Sequence, residues 1–415
     1  MITRKSTRAG TALAVAALST LALASCSAST GGESTDAAGG AYTWWDPYPQ
    51  YDASSDWAKV IDACAADAGV TIERTAYDTS DLTNKALLAG QQDNSPDLLL
   101  IDNPVVSTLA EAGVLTTTDE SGLSTDGFAE NILSAGQIDG DTFGVPIGAN
   151  TLALYYNPAV LEKAGVDIAS VTDWASLTAA LEKVTATGDT GITFSAVGTE
   201  EGSFQFLPWF WGSGAELTDL SSDDAVSALA LWTDWIEKGY APNSVINNTQ
   251  TTSWQEFQAG NVAFAENGTW QKASAAEAGY EVLPIPAKDG GNAAAPTGGE
   301  FLSLPVQSDD SRYEVSAQIA SCMTDTENIV GTDNALNYVA PTTDAQEAQL
   351  AEDATLQPWI DAVGAAQGRT GDNLGTDYPL ISEQLWTAVQ SSITGSSSPE
   401  DALKAAQDAA ASATE

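Results

Sequence analysis

The run Leu98-Leu99-Leu100-Ile101 is apolar without alternation and is bounded by Pro96-Asp97 and Asp102-Asn103. A strand with no polar face must be covered on both sides, as parallel strands are inside an α/β sheet. The flanking segments agree with that reading. Residues 41–45 form a short β-rich run ending at Asp46-Pro47, 57–67 read as an amphipathic helix closed by Gly69, and 70–74 as the next strand. Residues 81–90 read as a helix with a glycine stop, and 105–112 as another. Strand and helix in alternation predict an α/β fold with helices on both faces of its sheet.

Composition narrows the chemistry. The chain has 415 residues, 43% of them hydrophobic and 17% charged, a folded composition whose length suggests about two or three lobes. Fourteen Lys and Arg against 57 Asp and Glu give a net charge of −43, a field that repels nucleic acid and anionic lipid. Histidine is absent, so no Ser-His-Asp or Cys-His pair and no imidazole-ligated metal can be built. Carboxylates are the acid–base groups that remain.

The N-terminus is a leader. Arg4, Lys5 and Arg8 precede an apolar stretch at 9–24, too short to span a bilayer permanently. Leu23-Ala24-Ser25-Cys26 looks like a bacterial lipobox, with residues 1–25 removed and Cys26 lipidated by palmitate; an ordinary secretory signal is the alternative. The lipobox reading places the protein on the extracellular face of the cell membrane, tethered through a Ser-, Ala-, Gly- and Thr-rich linker at 26–41. Cys64 and Cys322 are then the remaining thiols of an exported protein, and either pair or serve as small buried hydrophobes. Further along, Asn157-Pro158 and Asp173-Trp174 open helices, and 224–238 carries Trp232 and Trp235 at core spacing. Ser398-Pro399-Glu400-Asp401 opens the last helix.

Several phrases, in order, match one family. Pro96-Asp97 precedes the strand ending Asp102-Asn103. Residues 140–146 lead to Tyr155-Tyr156-Asn157-Pro158 and Lys163-Ala164-Gly165-Val166. Thr172-Asp173-Trp174-Ala175-Ser176-Leu177 follows, then Phe257-Gln258-Ala259-Gly260-Asn261-Val262-Ala263-Phe264 with Gly268-Thr269-Trp270, and finally Thr394-Gly395 with Ser398-Pro399-Glu400-Asp401-Ala402-Leu403. The chain resembles the extracellular solute-binding proteins of carbohydrate ABC importers, of the maltose-binding-protein type. It departs from the family's usual charge, with few lysines. The resemblance implies a periplasmic-binding-protein-like fold: two α/β lobes joined by a three-crossing hinge, with ligand in the cleft. It places the crossings near 148–150, 297–303 and 338–343, so that lobe 1 holds 42–149 plus 300–340 and lobe 2 holds 150–299 plus 341–415.

A sugar needs flat aromatic faces for its C–H surface and carboxylates or amides for its hydroxyls. Trp44 and Trp45 end the first strand, where α/β crevices open, and alternation turns one of them inward; Trp45 and Asp46 are the cleft candidates, with core packing as the alternative. Asp102 and Asn103 end the buried strand and serve either the ligand or the following helix as a cap. The resemblance adds Asn150, and Phe204, Gln205 and Trp209 from the aromatic stretch 204–211, against a core reading of the same stretch. It also makes Trp270 and Trp386 ring-stacking residues, although Ile381, Leu385 and Val389 give Trp386 a core neighbourhood. Gly298-Gly299 allows close backbone approach, with Glu300 as a hydroxyl acceptor.

No catalytic residue, cofactor or metal is called for. The segment 371–377 is loosely calcium-loop-like but lacks EF-hand spacing, and a solvated acidic loop is the plainer reading. The function expected is a monomeric, non-catalytic receptor that captures an oligosaccharide and delivers it to membrane permease subunits. The alternatives are a secreted glycoside hydrolase using two carboxylates, for which no acid pair stands out, and an adhesin, which would more often be repeat-rich and all-β.

Overall fold

A computed structural model describes residues 41–370 and 374–414. The leader, Cys26, the linker up to residue 40 and 371–373 of the acidic loop lie outside the described residues. The strands are β1 (Tyr42–Asp46), β2 (Ile72–Ala76), β3 (Leu98–Asp102), β4 (Gln137–Ile138), β5 (Asp141–Thr142), β6 (Val145–Pro146), β7 (Leu152–Tyr156), β8 (Thr190–Thr193), β9 (Val262–Gly268), β10 (Glu281–Leu283) and β11 (Glu300–Ser303). They form a five-stranded sheet in the order β2-β1-β3-β11-β6, a four-stranded sheet in the order β10-β7-β9-β8, and the small ribbon β4-β5.

The apolar run is the buried centre of the first sheet. Leu98, Leu99 and Leu100 are fully buried, and β3 lies beside parallel β1. The sheet is not parallel throughout. β11 returns from residue 300 and pairs antiparallel with both β3 and β6, because the chain re-enters this sheet through the hinge and not through a βαβ crossover. That re-entry sets Glu300 directly opposite Asp102.

Helix starts follow the sequence signals: Ser55 caps the helix Asp56–Asp67, and Asp173 with Ser176 forms a capping box on Trp174–Thr185. The aromatic stretch without a clear period is helical. It lies in Glu200–Gly212, with Pro208 inside the helix and nine consecutive residues from Gly202 to Phe210 buried, so there is no polar face to reveal a 3.6-residue period.

Each sheet has its own core. Trp44, Trp57, Leu98, Leu100, Leu302 and Ile319 pack on the first; Leu154, Phe194, Phe206, Trp209, Trp232 and Trp235 pack on the second. Cys64 and Cys322, on the helices Asp56–Asp67 and Arg312–Met323, are joined in a disulfide with a Cα–Cα distance of 5.6 Å.

Three chain segments meet between the sheets. Ala149 bridges Val339, and Asn150 exchanges backbone hydrogen bonds with Gly298 in both directions. The return of the chain after Val339 is drawn out. The helix Thr343–Glu352 packs through Ala345 against Ile329 and Val330, whereas Leu356, Trp359 and Val363 pack with Tyr155 and Trp254 of the second sheet's side.

Candidate functional site

A cavity of about 660 Å³ opens between the carboxyl end of β3 and the start of the helix Glu200–Gly212, with the three joined segments at its base. Asp102, Asn150, Phe204, Trp270, Gly299, Glu300 and Trp386 line it, together with Thr199, Glu200, Glu201, Gln250, Tyr338, Arg369, Tyr378 and Pro379. Its volume suits a ligand of small-molecule size. A larger groove of about 910 Å³, bordered by 116–122 and 306–321, offers Asp119, Glu120, Asp310 and Glu314 but no tryptophan face.

Local backbone chemistry shapes the floor. Gly299 has φ +116°, and a Cβ there would lie 2.4 Å from the Gly148 carbonyl oxygen. At Gly298 a Cβ would lie 2.0 Å from Asn150 Oδ1, so glycine lets the segments close on one another. Gly268 plays the same part for the wall, because a Cβ would enter the space of the Trp270 ring at 2.1 Å. Trp270 and Trp386 are both half-buried. Trp386 rises from the helix Asp377–Ile393, whose Ile381, Leu385 and Val389 are buried on the core side.

The polar lining is acidic around one cation. Arg369 is 3% exposed; it donates from Nη2 to Asp102 Oδ1 and to Asn103 Oδ1, each at 2.8 Å, and from Nη1 to Glu200 Oε1 at 2.8 Å. Its guanidinium also lies over the Phe204 ring, 4.8 Å from the centroid. Burial opposes its charge, but Asp102 and Glu200 raise its pKa further.

Among the described residues Glu300 forms no direct ion pair. Burial pushes its carboxyl up to about 7 and Asp102 adds to the rise, against hydrogen bonds from Tyr48 and Tyr338 and the more distant charge of Arg369. Its Oε2 is buried without a partner. Burial also raises Glu201, whose carboxylate accepts the Gln250 backbone N–H. Asp333, buried beside Gly148 with both carboxyl oxygens unpartnered, is raised well above the usual range by burial and then by Glu300.

Five residues that the sequence pointed to lie outside the lining, each held by the protein itself. Asp46 is fully buried, accepting from Arg74, from Trp44 Nε1 at 2.9 Å and from the Tyr48 backbone N–H at 3.0 Å. Trp45 packs edge-on against Tyr77 with centroids 5.3 Å apart, while Trp44 enters the core. Asn103 sits behind Arg369 and donates to the Thr297 carbonyl at 3.0 Å. Gln205 accepts the Ser195 N–H at 2.9 Å, and Trp209 donates to Glu266 Oε2 at 2.7 Å in the second core. Among the described residues no acidic or thiol cluster suited to a metal ion occurs.

Sequence reasoning missed Arg369, Glu200, Glu201 and Tyr338. Arg369 carried a usable signal: beyond the leader the arginines are Arg74, Arg312 and Arg369, and a large acid excess makes each valuable. All three bind a buried or cleft aspartate.

The model of the bacterial extracellular solute-binding protein family matches residues 59–358, a span that takes in every strand of the two sheets except β1 and most of the cavity lining. The chain belongs to that family. The family's activity is binding, not catalysis. A binding protein of Brucella abortus is 29% identical over 171 residues, 39% of this chain and 41% of that protein, so the match spans about two-fifths of that relative's length. A maltooligosaccharide ABC transporter solute-binding lipoprotein of Streptococcus pneumoniae is 24% identical over 301 residues, 69% of this chain and 70% of its own. The maltose-bound MalE3 structure of T. maritima superposes with TM-score 0.77 at 20% identity, covering 90% of this chain and 99% of that one. This member therefore has the two-lobed periplasmic-binding-protein fold, with the cavity between its sheets.

Proposed function

We propose that this solute-binding protein captures an uncharged oligosaccharide in the cavity between its lobes and delivers it to the permease of an ABC importer. The observation that carries the reading is the pairing of two half-buried indoles, Trp270 and Trp386, with hydroxyl-binding groups in one cavity: Asp102, Asn150 and Glu300. Indole faces take the C–H surface of a sugar ring, and the carboxylates and amide take its rim hydroxyls. Phe204 and the Gly299 backbone complete the contact set. The named relatives that bind maltooligosaccharide or maltose make α-glucans the first ligands to try.

The lobes divide after residue 149 and after 299, and the third crossing occupies the stretch following Ala340. The protein acts as a monomer, anchored through lipidated Cys26 on the outer face of the membrane. The excess of acid over base and the cation-free carboxylates of the cleft disfavour phosphorylated or carboxylated sugars.

Full-length protein in detergent, titrated with maltose, maltotriose and maltotetraose, is expected to show saturable tryptophan fluorescence changes without product release. Reducing-end release would move the protein to the hydrolases, and silence across a broad neutral-glycan panel would remove the sugar reading. Cys26→Ser is expected to abolish membrane fractionation or processing; a normally cut, still membrane-bound species would refute the anchor.

A further inference from the structure

Arg369 stands out because its partners come from both sides of the cavity. Asp102 and Asn103 belong to the end of β3 in the first sheet. Glu200 opens the helix Glu200–Gly212, whose body packs in the core of the second sheet. Arg369 itself is delivered from a fixed backbone, since Gln367 donates its N–H to Ala295 and accepts the Thr297 N–H beside the hinge. Glu200 is held in turn by the Tyr378 hydroxyl at 2.6 Å and by Ser382. Neither carboxylate is as deeply buried as the guanidinium: their side chains are 24% and 34% exposed.

We propose that Arg369 is an interlobe clasp, a positioning residue that ties Asp102 and Asn103 to Glu200 and makes closure of the cleft depend on this ion triad. The inference rests on the two-lobed binding reading above. A guanidinium at this depth needs both carboxylates, and opening the lobes strips it of one of them. The closed arrangement is therefore favoured before ligand arrives, and ligand binding works with a bias already present. Arg369 reaches its acceptors from two separate nitrogens, whereas an ammonium gathers its three donors on one, so lysine is a poor replacement. The clasp also keeps Asp102 oriented along the cavity wall while leaving the cleft no free cation for an anionic ligand.

The test reads lobe separation directly, without sugar. Fluorophores on noncanonical residues replacing the exposed Leu88 and Lys404 report distance in full-length protein and leave the disulfide intact. The unsubstituted clasp is expected to show a substantial short-distance population. Arg369→Gln should lower the ratio of short to long distances about tenfold, with Arg369→Lys between the two. Glu200→Gln should shift it the same way and decides the question if Arg369→Gln fails to fold. Unchanged distance distributions in a variant that only melts earlier would overturn the clasp, as would a parent protein that is wholly open without sugar. Because no ligand enters this measurement, failure of the sugar reading with maltotriose leaves its outcome readable.

Discussion

Two neighbouring parallel strands, β1 and β3, end in an aspartate that pairs with an arginine, and the two ends have opposite fates. Asp46 is sealed: Arg74 holds it, with Trp44 and Trp57 donating indole N–H groups, and it is fully buried outside the lining of the cleft. Asp102 keeps a quarter of its side chain open to the cleft, and its arginine comes from the opposite side of the cavity, where it also pairs with Glu200. The difference lies in what each strand is next to. β1 is flanked by β2 and β3, and the loop after it folds back with Tyr48 and Tyr51 onto Trp57; β3 has β11 on one side, which arrives from the hinge and leaves the strand end facing the second lobe. A carboxyl strand end is where α/β ligand sites open, but only the end bordering the chain's crossing between lobes becomes one.

The largest expected effect breaks the sealed end. Asp46→Ala should cost about 3–5 kcal/mol of stability, because it strands two buried indole donors and takes the counter-charge from the partly buried Arg74, while sugar affinity of the folded fraction stays constant. Asp102→Asn should weaken sugar binding, with a smaller stability loss than Asp46→Ala because Glu200 still pairs Arg369; a melting curve and a titration on both variants expose any blurring of the contrast. Trp209→Ala and Trp270→Ala repeat the comparison in the second lobe. The buried Trp209 should lose about 3–5 kcal/mol of stability, and Trp270 about 1–3 kcal/mol of affinity, or about 5- to 150-fold. A large fall in melting temperature with unaltered affinity for Trp270→Ala would return that indole to the core.

On the sealed side, the Cys64–Cys322 bond closes a long loop, and its loss in a Cys64→Ala/Cys322→Ala variant should cost about 2–5 kcal/mol. Alkylation of the denatured, unreduced protein followed by mass spectrometry should label neither residue; labelling of both would contradict the bond.

The smallest effect is the pH profile of the cleft. Glu300 binds its proton more tightly folded, up to about 7, than unfolded, so the folded state holds more protons between about 4.5 and 7. Stability should therefore be highest below that window and fall as pH rises through it. Glu266 is shifted in the same direction by burial and slopes the profile in parent and variant alike, whereas Asp333, which burial and then Glu300 raise, changes with it. The difference between parent and Glu300→Gln reports Glu300 together with its coupling to Asp333, and parallel profiles would remove Glu300 as the source.

Residues entered the candidate site by two routes, and the routes differ in what they could see. Position relative to a strand end or a glycine pair located Asp102, Gly299 and Glu300, because backbone geometry there follows from local sequence. The family resemblance nominated Asn150, Trp209 and Trp270, and it did not separate the two indoles, because one on a helix and one beside a glycine look alike until packing assigns their faces. Glu200 and Arg369 escaped both routes: each is an ordinary charged residue whose partner lies 169 positions away.

By itself the sequence determined the alternation of strands and helices, the buried centre of the first sheet, the helix caps and the absence of imidazole chemistry. These depend on hydrophobic period, capping oxygens and composition, all short-range or additive properties. Only the tertiary structure decided that β11 runs antiparallel into the first sheet, that Asp46 is sealed while Asp102 is open, and that one arginine serves both lobes. Each of those is a long-range contact, and its free energy comes from desolvation and pairing of groups that no local pattern brings together.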